Sequence, residues 1–111
     1  MKIKKETRDK IQEIQVLEQN LQALMMQIQA FKSETEETDN ALSEISKTKG
    51  DVFKIVGNIM LKTDKDSVAK ELEEKRNILN LRLKTLEKQE NSVRERVDKL
   101  KEEVTEEIKK E

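Results

Sequence analysis

The sequence predicts a mainly α protein in which two long helices pair as an antiparallel coiled coil and are joined by a single β-hairpin. Apolar residues recur at alternating steps of three and four in two separate runs, and a β-branched segment with Gly57-Asn58 at its centre lies between them. A period of 3.5 keeps apolar side chains on one side of a helix. We therefore predict one structural unit over residues 1–111, with a helix over 1–49, a hairpin over 50–63 and a helix over 64–111.

The composition supports this fold class. Charged residues make up 42% of the chain and aromatic residues 2%, proline is absent and glycine occurs twice. These values are typical of long helices and coiled coils. Disorder is the competing interpretation of so charged a chain, but a disordered segment has no reason to keep apolar residues in register.

The heptad positions can be assigned in both helices. In the first helix the a positions are Ile14, Leu21, Ile28, Thr35 and Leu42, and the d positions are Leu17, Leu24, Phe31, Thr38 and Ile45. In the second helix the d positions are Leu72, Leu79, Leu86, Val93 and Leu100, and the a positions are Ala69, Arg76, Leu83, Glu90, Val97 and Val104.

One register satisfies the antiparallel pairing of a with d positions. It places Ile14 opposite Leu100 and Leu42 opposite Leu72, and every pair is symmetric about Gly57. It also places polar residues in the seam, with Thr38 facing Arg76. Such layers either help to fix the register or loosen the seam so that the arms flex.

Capping residues mark the inner ends of the two helices. Gly50 follows the last periodic residue and is expected to be the C′ glycine of the first helix. Asp64, Asp66 or Ser67 is expected to cap the second helix.

The central segment predicts a hairpin with two apolar faces. Glycine at the first central position suits a type II′ turn. Strand alternation then places Val52, Val56, Ile59 and Leu61 on one face and Phe53, Ile55 and Met60 on the other. A two-stranded hairpin is marginal by itself in water, and apolar faces with open edges predict a site of association.

Several classes of function are disfavoured. The chain has no His, Cys, Trp or Tyr, so common catalytic pairs and thiolate metal sites are missing; we expect no enzyme activity, no cofactor and no metal. The net charge is −1 and the basic start is diluted by Glu6 and Asp9, so we expect no nucleic acid as partner. No apolar run reaches about 20 residues and none follows the basic start, which predicts no membrane contact and no signal peptide. The absence of cysteine fits a reducing, cytoplasmic location.

Surplus apolar residues occur beside the seam. Ile3, Ile11 and Ile108 lie towards the free ends of the arms, and Met25 and Met26 lie further along the first helix. They either widen the seam and reduce fraying or serve as adaptable apolar contacts for another chain.

The central segment and its surroundings resemble the prefoldin family, and in particular its archaeal β subunits. The most specific stretch is Asp51-Val-Phe-Lys-Ile-Val-Gly-Asn-Ile-Met-Leu-Lys62, followed by Asp64-Lys-Asp66, Glu71-Leu-Glu-Glu-Lys75 and Leu83-Lys-Thr-Leu-Glu-Lys-Gln-Glu90. The single hairpin is the β-type layout, since α subunits carry two.

The resemblance implies a function and a set of partners. It implies a hexamer of two α and four β subunits, in which the hairpins form a platform of two β-barrels. It also implies ATP-independent capture of unfolded proteins and their delivery to a group II chaperonin, which Lys109-Lys110 could contact. The residues that correspond to the oligomerisation hairpin are Val52, Phe53, Ile55, Val56, Ile59 and Leu61. The residues that lie in the client-binding zone by position are Ile3, Ile11, Ile14, Leu100, Val104 and Ile108.

A structural coiled-coil adaptor, self-assembling through parallel heptads without any client, is the alternative function. In that arrangement the central segment, with its two apolar faces, would interrupt a continuous rod. The adaptor is therefore less consistent with the sequence than the fold-back arrangement.

Overall fold

The computed structural model describes residues 3–110. Helix α1 (Lys5–Lys47) is followed by strand β1 (Val52–Val56), strand β2 (Ile59–Thr63) and helix α2 (Lys65–Lys110). The helices contain 43 and 46 residues. This order of helix, hairpin and helix confirms the predicted fold class, while the assembly of hairpins into a barrel stays a prediction.

The fold divides into two compact units. The first joins the N-terminal residues up to Gln29 with the residues from Lys84 onward, and the second is Ala30–Leu83. Each unit therefore contains a piece of α1 and a piece of α2.

In the first unit the two helices pack through an apolar core. Ile14, Val97, Leu100 and Val104 are buried together, and Ile11, Leu17, Val93 and Ile108 pack against them. The polar contacts run in the antiparallel sense, because Thr7 meets Glu107, Lys10 meets Glu103 and Glu13 meets Arg96. Gly57 lies midway between Thr7 and Glu107, as the predicted register requires.

In the second unit the seam includes a buried threonine. Thr38 is 3% exposed, and its hydroxyl donates to the Glu34 carbonyl at 2.8 Å. Arg76, predicted opposite Thr38, is half-buried and forms an ion pair in which its Nη1 lies 3.6 Å from Asp39 Oδ1. Since the Thr38 hydroxyl is satisfied within its own helix, it adds no unpaired polar group to the seam, which supports a tolerated polar layer.

The strands form the predicted two-residue hairpin. Val56 pairs with Ile59, Lys54 with Leu61 and Phe53 with Lys62, so the two predicted faces are confirmed. Gly57 has a φ of 61° and no other residue in the described part of the chain has a positive φ. This combination fits a type II′ turn and excludes type I′, which needs a positive φ at both central positions.

The inner helix ends differ in part from prediction. Asp64 caps α2, since its carboxylate accepts from the Ser67 amide at 3.3 Å. The expectation that Gly50 is the C′ residue of α1 is wrong: α1 ends at Lys47, and Gly50 does not adopt a positive φ. The Thr48 amide instead donates to the Ile45 carbonyl at 3.2 Å, which closes α1 with a tighter turn.

Candidate assembly and client-contact surfaces

The hairpin carries most of the large exposed apolar side chains of the second unit. We call the residues Val52, Phe53, Ile55, Val56, Ile59, Met60 and Leu61 the hairpin surface. All except the half-buried Val52 are exposed, and Ile55 is 70% exposed. Met60 belongs to this surface although it was not among the predicted oligomerisation residues. Strand alternation was the signal, because it places Met60 on the same face as Phe53 and Ile55.

The hairpin surface lacks the cover that an isolated sheet needs. The sheet has only two strands, so each strand has one edge without a partner strand. Large side chains stand on both faces. Burying each of these side chains against another surface would contribute about 1.5–3 kcal/mol. The hairpin surface therefore has the chemistry of an interface between chains.

The predicted client-binding residues lie in the first unit, in and beside its core. Leu100 is 1% exposed, and Ile14 and Val104 are also buried. Ile11 and Ile108 pack against this core and are half-buried. Ile3 is half-buried too and precedes the first residue of α1. Contact of a client with Leu100 would thus require the helix ends to separate, whereas Ile3, Ile11 and Ile108 present part of their surface already.

A polar cluster holds the outer ends of the helices together. We call Thr7, Lys10, Glu103 and Glu107 the end clasp. The Thr7 hydroxyl donates to Glu107 Oε2 at 3.0 Å, and Lys10 Nζ lies 2.6 Å from Glu107 Oε1 and 3.3 Å from Glu103 Oε2. Thr7 is 1% exposed, so its hydroxyl depends on this carboxylate for a partner.

The clasp shifts the titration of its members. The hydrogen bond from Lys10, and then that from Thr7, lower the pKa of Glu107 below its ordinary value. The hydrogen bond to Glu107 raises the pKa of Lys10. Both shifts have one cause, which is that each charged form has a partner in the folded chain.

Other exposed apolar residues lie on the outer faces of the helices. Val16, Met26, Ile78 and Leu81 are exposed, and Met26 is 75% exposed. Sequence reasoning did not single out Val16, Ile78 or Leu81. Their signal was present, because each occupies a heptad position that faces away from the seam.

The described residues contain neither a group of acidic, histidine or cysteine side chains that could hold a metal ion nor a helix long and apolar enough to cross a membrane. The grooves along the seam are open and partly polar; one of about 560 Å³ is lined by Leu24 and Val93 together with Asn20, Thr85, Lys88, Gln89 and Ser92.

The two long helices and the exposed apolar hairpin that joins them place the chain in the class of helical-hairpin proteins. The chain matches the family described as "Prefoldin subunit" over residues 8–111. It is 40% identical over 92 residues to prefoldin subunit beta of Pyrobaculum calidifontis, covering 81% of this chain and 74% of that protein. It is 36% identical to prefoldin subunit beta of Sulfurisphaera tokodaii, covering 95% and 86%. The crystal structure of the prefoldin beta subunit from Thermococcus strain KS-1 superposes with a TM-score of 0.90 at 31% identity, covering 95% of this chain and 94% of that one.

The chain belongs to the prefoldin family. The resemblance found in the sequence is thereby confirmed, and the curated relatives named above are β subunits. Prefoldins are molecular chaperones, so the chain is a chaperone subunit of this family.

Proposed function

We propose that the chain is a subunit of an ATP-independent holdase, which captures unfolded proteins with the ends of its helical arms and passes them to a group II chaperonin. No bond is made or broken in this activity, so the proposed function includes neither enzyme chemistry nor a cofactor. We also propose a cytoplasmic location, where the handover of a client to the chaperonin would take place.

One observation carries the assembly half of this proposal. The hairpin surface leaves six large apolar side chains exposed, namely Phe53, Ile55, Val56, Ile59, Met60 and Leu61. The hairpins of several subunits would bury these residues together in a β-barrel platform. We propose two α and four β subunits, as the family resemblance implies.

The client half of the proposal rests on the apolar residues at the outer helix ends. Ile11 and Ile108 pack at the margin of the core, and their exposed parts would make the first contact with an apolar client segment. Leu100, Ile14 and Val104 would join only when the ends open. Contacts of this kind are weak singly, and several arms acting on one client would raise the avidity.

The test is a triple variant of the margin residues, in which Ile3, Ile11 and Ile108 become Ser. Leu100 and Val104 stay unchanged, because their loss would disrupt the core itself. On the assembled protein, we expect the variant to lose suppression of aggregation when a guanidinium-denatured enzyme is diluted into buffer, as measured by light scattering. Its native mass should stay that of the wild type.

The matched control is Val16→Ser with Ile78→Ser, which removes exposed apolar groups outside the proposed zone. Full suppression by the triple variant would show that the client zone lies elsewhere. Absence of suppression by the assembled wild type would instead favour the structural adaptor, which has no client.

A further inference from the structure

The joints on the two sides of the hairpin differ in length. Between β2 and α2 there is only Asp64, whereas residues 48–51 separate α1 from β1. The longer joint includes Gly50, which has no neighbouring atoms within 4 Å of a Cβ built on it. The connection to α2 is therefore short and capped, while the connection to α1 is long and contains an uncrowded glycine.

The end of α1 also needs donors. The last carbonyls of any helix lack intrahelical partners, and Gly50 does not provide the cap that would satisfy them. Lys65 Nζ lies 3.0 Å from the Thr48 carbonyl oxygen and 3.5 Å from the Ser46 carbonyl oxygen. The side chain of the first residue of α2 thus donates to the carbonyl just past α1 and, at the limit of hydrogen-bond distance, to one in its last turn. The Glu44 and Ile45 carbonyls of that turn accept instead from the Thr48 hydroxyl and amide.

The positive charge of Lys65 is unfavourable at the start of α2, the helix to which this residue belongs. A cation at the first position of α2 faces the positive end of that helix dipole, which is unfavourable, whereas the same cation at the end of α1 is favourable. Asp64 and Asp66 flank Lys65 and supply the negative charge that α2 prefers. The ammonium of Lys65 therefore acts on α1, and its half-buried side chain bridges the two helices at the base of the hairpin.

A second tie connects the hairpin to α2. Lys54 of β1 lies 2.9 Å from Glu71 Oε2 on α2. Lys54 shares a face with Leu61, Val56 and Ile59. The ion pair of Lys54 with Glu71 therefore holds this face of the hairpin towards α2. Both side chains are about half exposed, and such a pair is weak by itself.

We propose that Lys65 is a positioning residue for the hairpin surface. By tying the last turn of α1 to the first residue of α2, it closes the long joint and restricts the hairpin to one orientation; the pair of Lys54 with Glu71 adds a second, weaker restraint. Subunits whose hairpins share one orientation assemble without first having to order that joint. This inference rests on the proposed assembly through the hairpin surface.

The chain allows a direct test, because it contains no cysteine. Asn40→Cys on α1 and Asn58→Cys in the turn, both at exposed positions, provide two sites for spin labels on the full chain. We expect a narrow distribution of distances between the labels in this background. Adding Lys65→Met should broaden it, and Lys65→Arg, which keeps donors and charge, should restore it.

The control is Lys70→Met, which removes an exposed lysine about 1.4 turns further along α2. Circular dichroism should show unchanged helix content in all these variants. An equally narrow distribution in Lys65→Met would overturn the positioning role, and so would equal broadening by Lys70→Met.

Assembly is measured separately on unlabelled chains by sedimentation velocity, with the chain alone and mixed with a two-hairpin prefoldin subunit. We expect Lys65→Met to need about a tenfold higher concentration for half assembly, since it loses hydrogen bonds from a charged group. Unchanged assembly despite a broadened distribution would refute the link between positioning and assembly. If the wild type assembles in neither sample, the proposed assembly fails, while the label distances still decide the positioning.

The weaker tie is tested by exchanging its charges. Lys54→Glu and Glu71→Lys should each raise the half-assembly concentration by about twofold, and the double exchange should restore it. No recovery in the double variant would remove this pair from the inference.

Discussion

Thr7 and Glu107 are 100 residues apart in the chain and are joined by a hydrogen bond of 3.0 Å. Gly57 lies midway between them, so this bond marks the same fold-back point as the hairpin turn. It also caps the apolar core of the first unit with a polar cluster, in which Lys10 bridges Glu103 and Glu107. The outer ends of the helices are thus closed by specific contacts rather than by apolar packing alone.

The first prediction concerns the pH dependence of this clasp. The pKa of Glu107 is lowered from an ordinary value of 4.5, so its contribution to stability is complete above that pH and is lost as the pH falls through the lowered value. The protection factors of the α1 amides near Thr7, which are corrected for the intrinsic pH dependence of exchange, should fall at acidic pH below 4.5. The pKa of Lys10 is raised from 10.5, so its contribution is present below pH 10.5 and is lost as the pH rises through the raised value.

The second prediction assigns part of the Glu107 shift to Thr7. Thr7→Val removes the hydroxyl donor and should bring the pKa of Glu107 closer to its ordinary value, as followed by ¹³C NMR of the carboxyl group. Thr105→Val is the control, because its hydroxyl donates to the Lys101 carbonyl on its own helix. Identical titration of Glu107 in wild type and Thr7→Val would mean that the hydroxyl does not support the carboxylate.

The third prediction concerns the core of the first unit. Leu100 is 1% exposed, and Leu100→Ala should lower the free energy of unfolding by about 2–5 kcal/mol, since it leaves a cavity. Met26→Ala, at a side chain that is 75% exposed, should change it by about 0.5 kcal/mol or less. Thermal or denaturant unfolding of both variants provides the comparison; similar losses would contradict the burial of Leu100.

The fourth prediction uses the two glycines as a matched pair. Gly57 has a φ of 61° with open space around it, so Gly57→Ala should destabilise the hairpin by about 1–2 kcal/mol through backbone strain alone. Gly50→Ala introduces neither backbone strain nor a close contact. It should leave the hairpin amides as well protected from exchange as in the wild type. Equal protection in both variants would argue against a left-handed turn at Gly57.

The fifth prediction tests the hairpin surface. Ile55→Glu places a charge on a side chain that is 70% exposed, so the fold of the single chain should be retained while assembly is lost. Native mass spectrometry should show the smaller species. Ile78→Glu, also at an exposed apolar residue but on α2, should assemble normally; equal loss in both would indicate a nonspecific effect of added charge.

The helices, the hairpin faces and the register could be predicted because each depends on local spacing. Heptads determine which residues of a helix face a partner, and strand alternation determines which residues of the hairpin share a face. The pairing of Lys54 with Leu61 and the II′ turn at Gly57 followed from these rules. The prefoldin resemblance could be found for the same reason, since its most specific residues, 51–62, lie in one continuous stretch.

The candidate sites were less predictable. Ile14, Leu100 and Val104 were predicted to lie in the client-binding zone, which stays a prediction, and the structure places them in the core of the first unit. Heptad spacing placed Ile14 opposite Leu100 in the seam, but it could not decide whether seam residues near the helix ends also contact a client. The ion pairs could not be predicted either, since a chain with 42% charged residues offers each charge many partners at similar sequence separations.

By itself the sequence determined the fold class, the fold-back point and the two-faced hairpin, because periodicity and turn chemistry act over a few residues. Only the tertiary structure decided how completely the helix ends bury their apolar side chains and which polar side chains tie those ends together. Lys65 shows the difference: its sequence position suggests only the start of α2, but folding brings its ammonium to the end of α1, where carbonyl groups without helical partners need a donor.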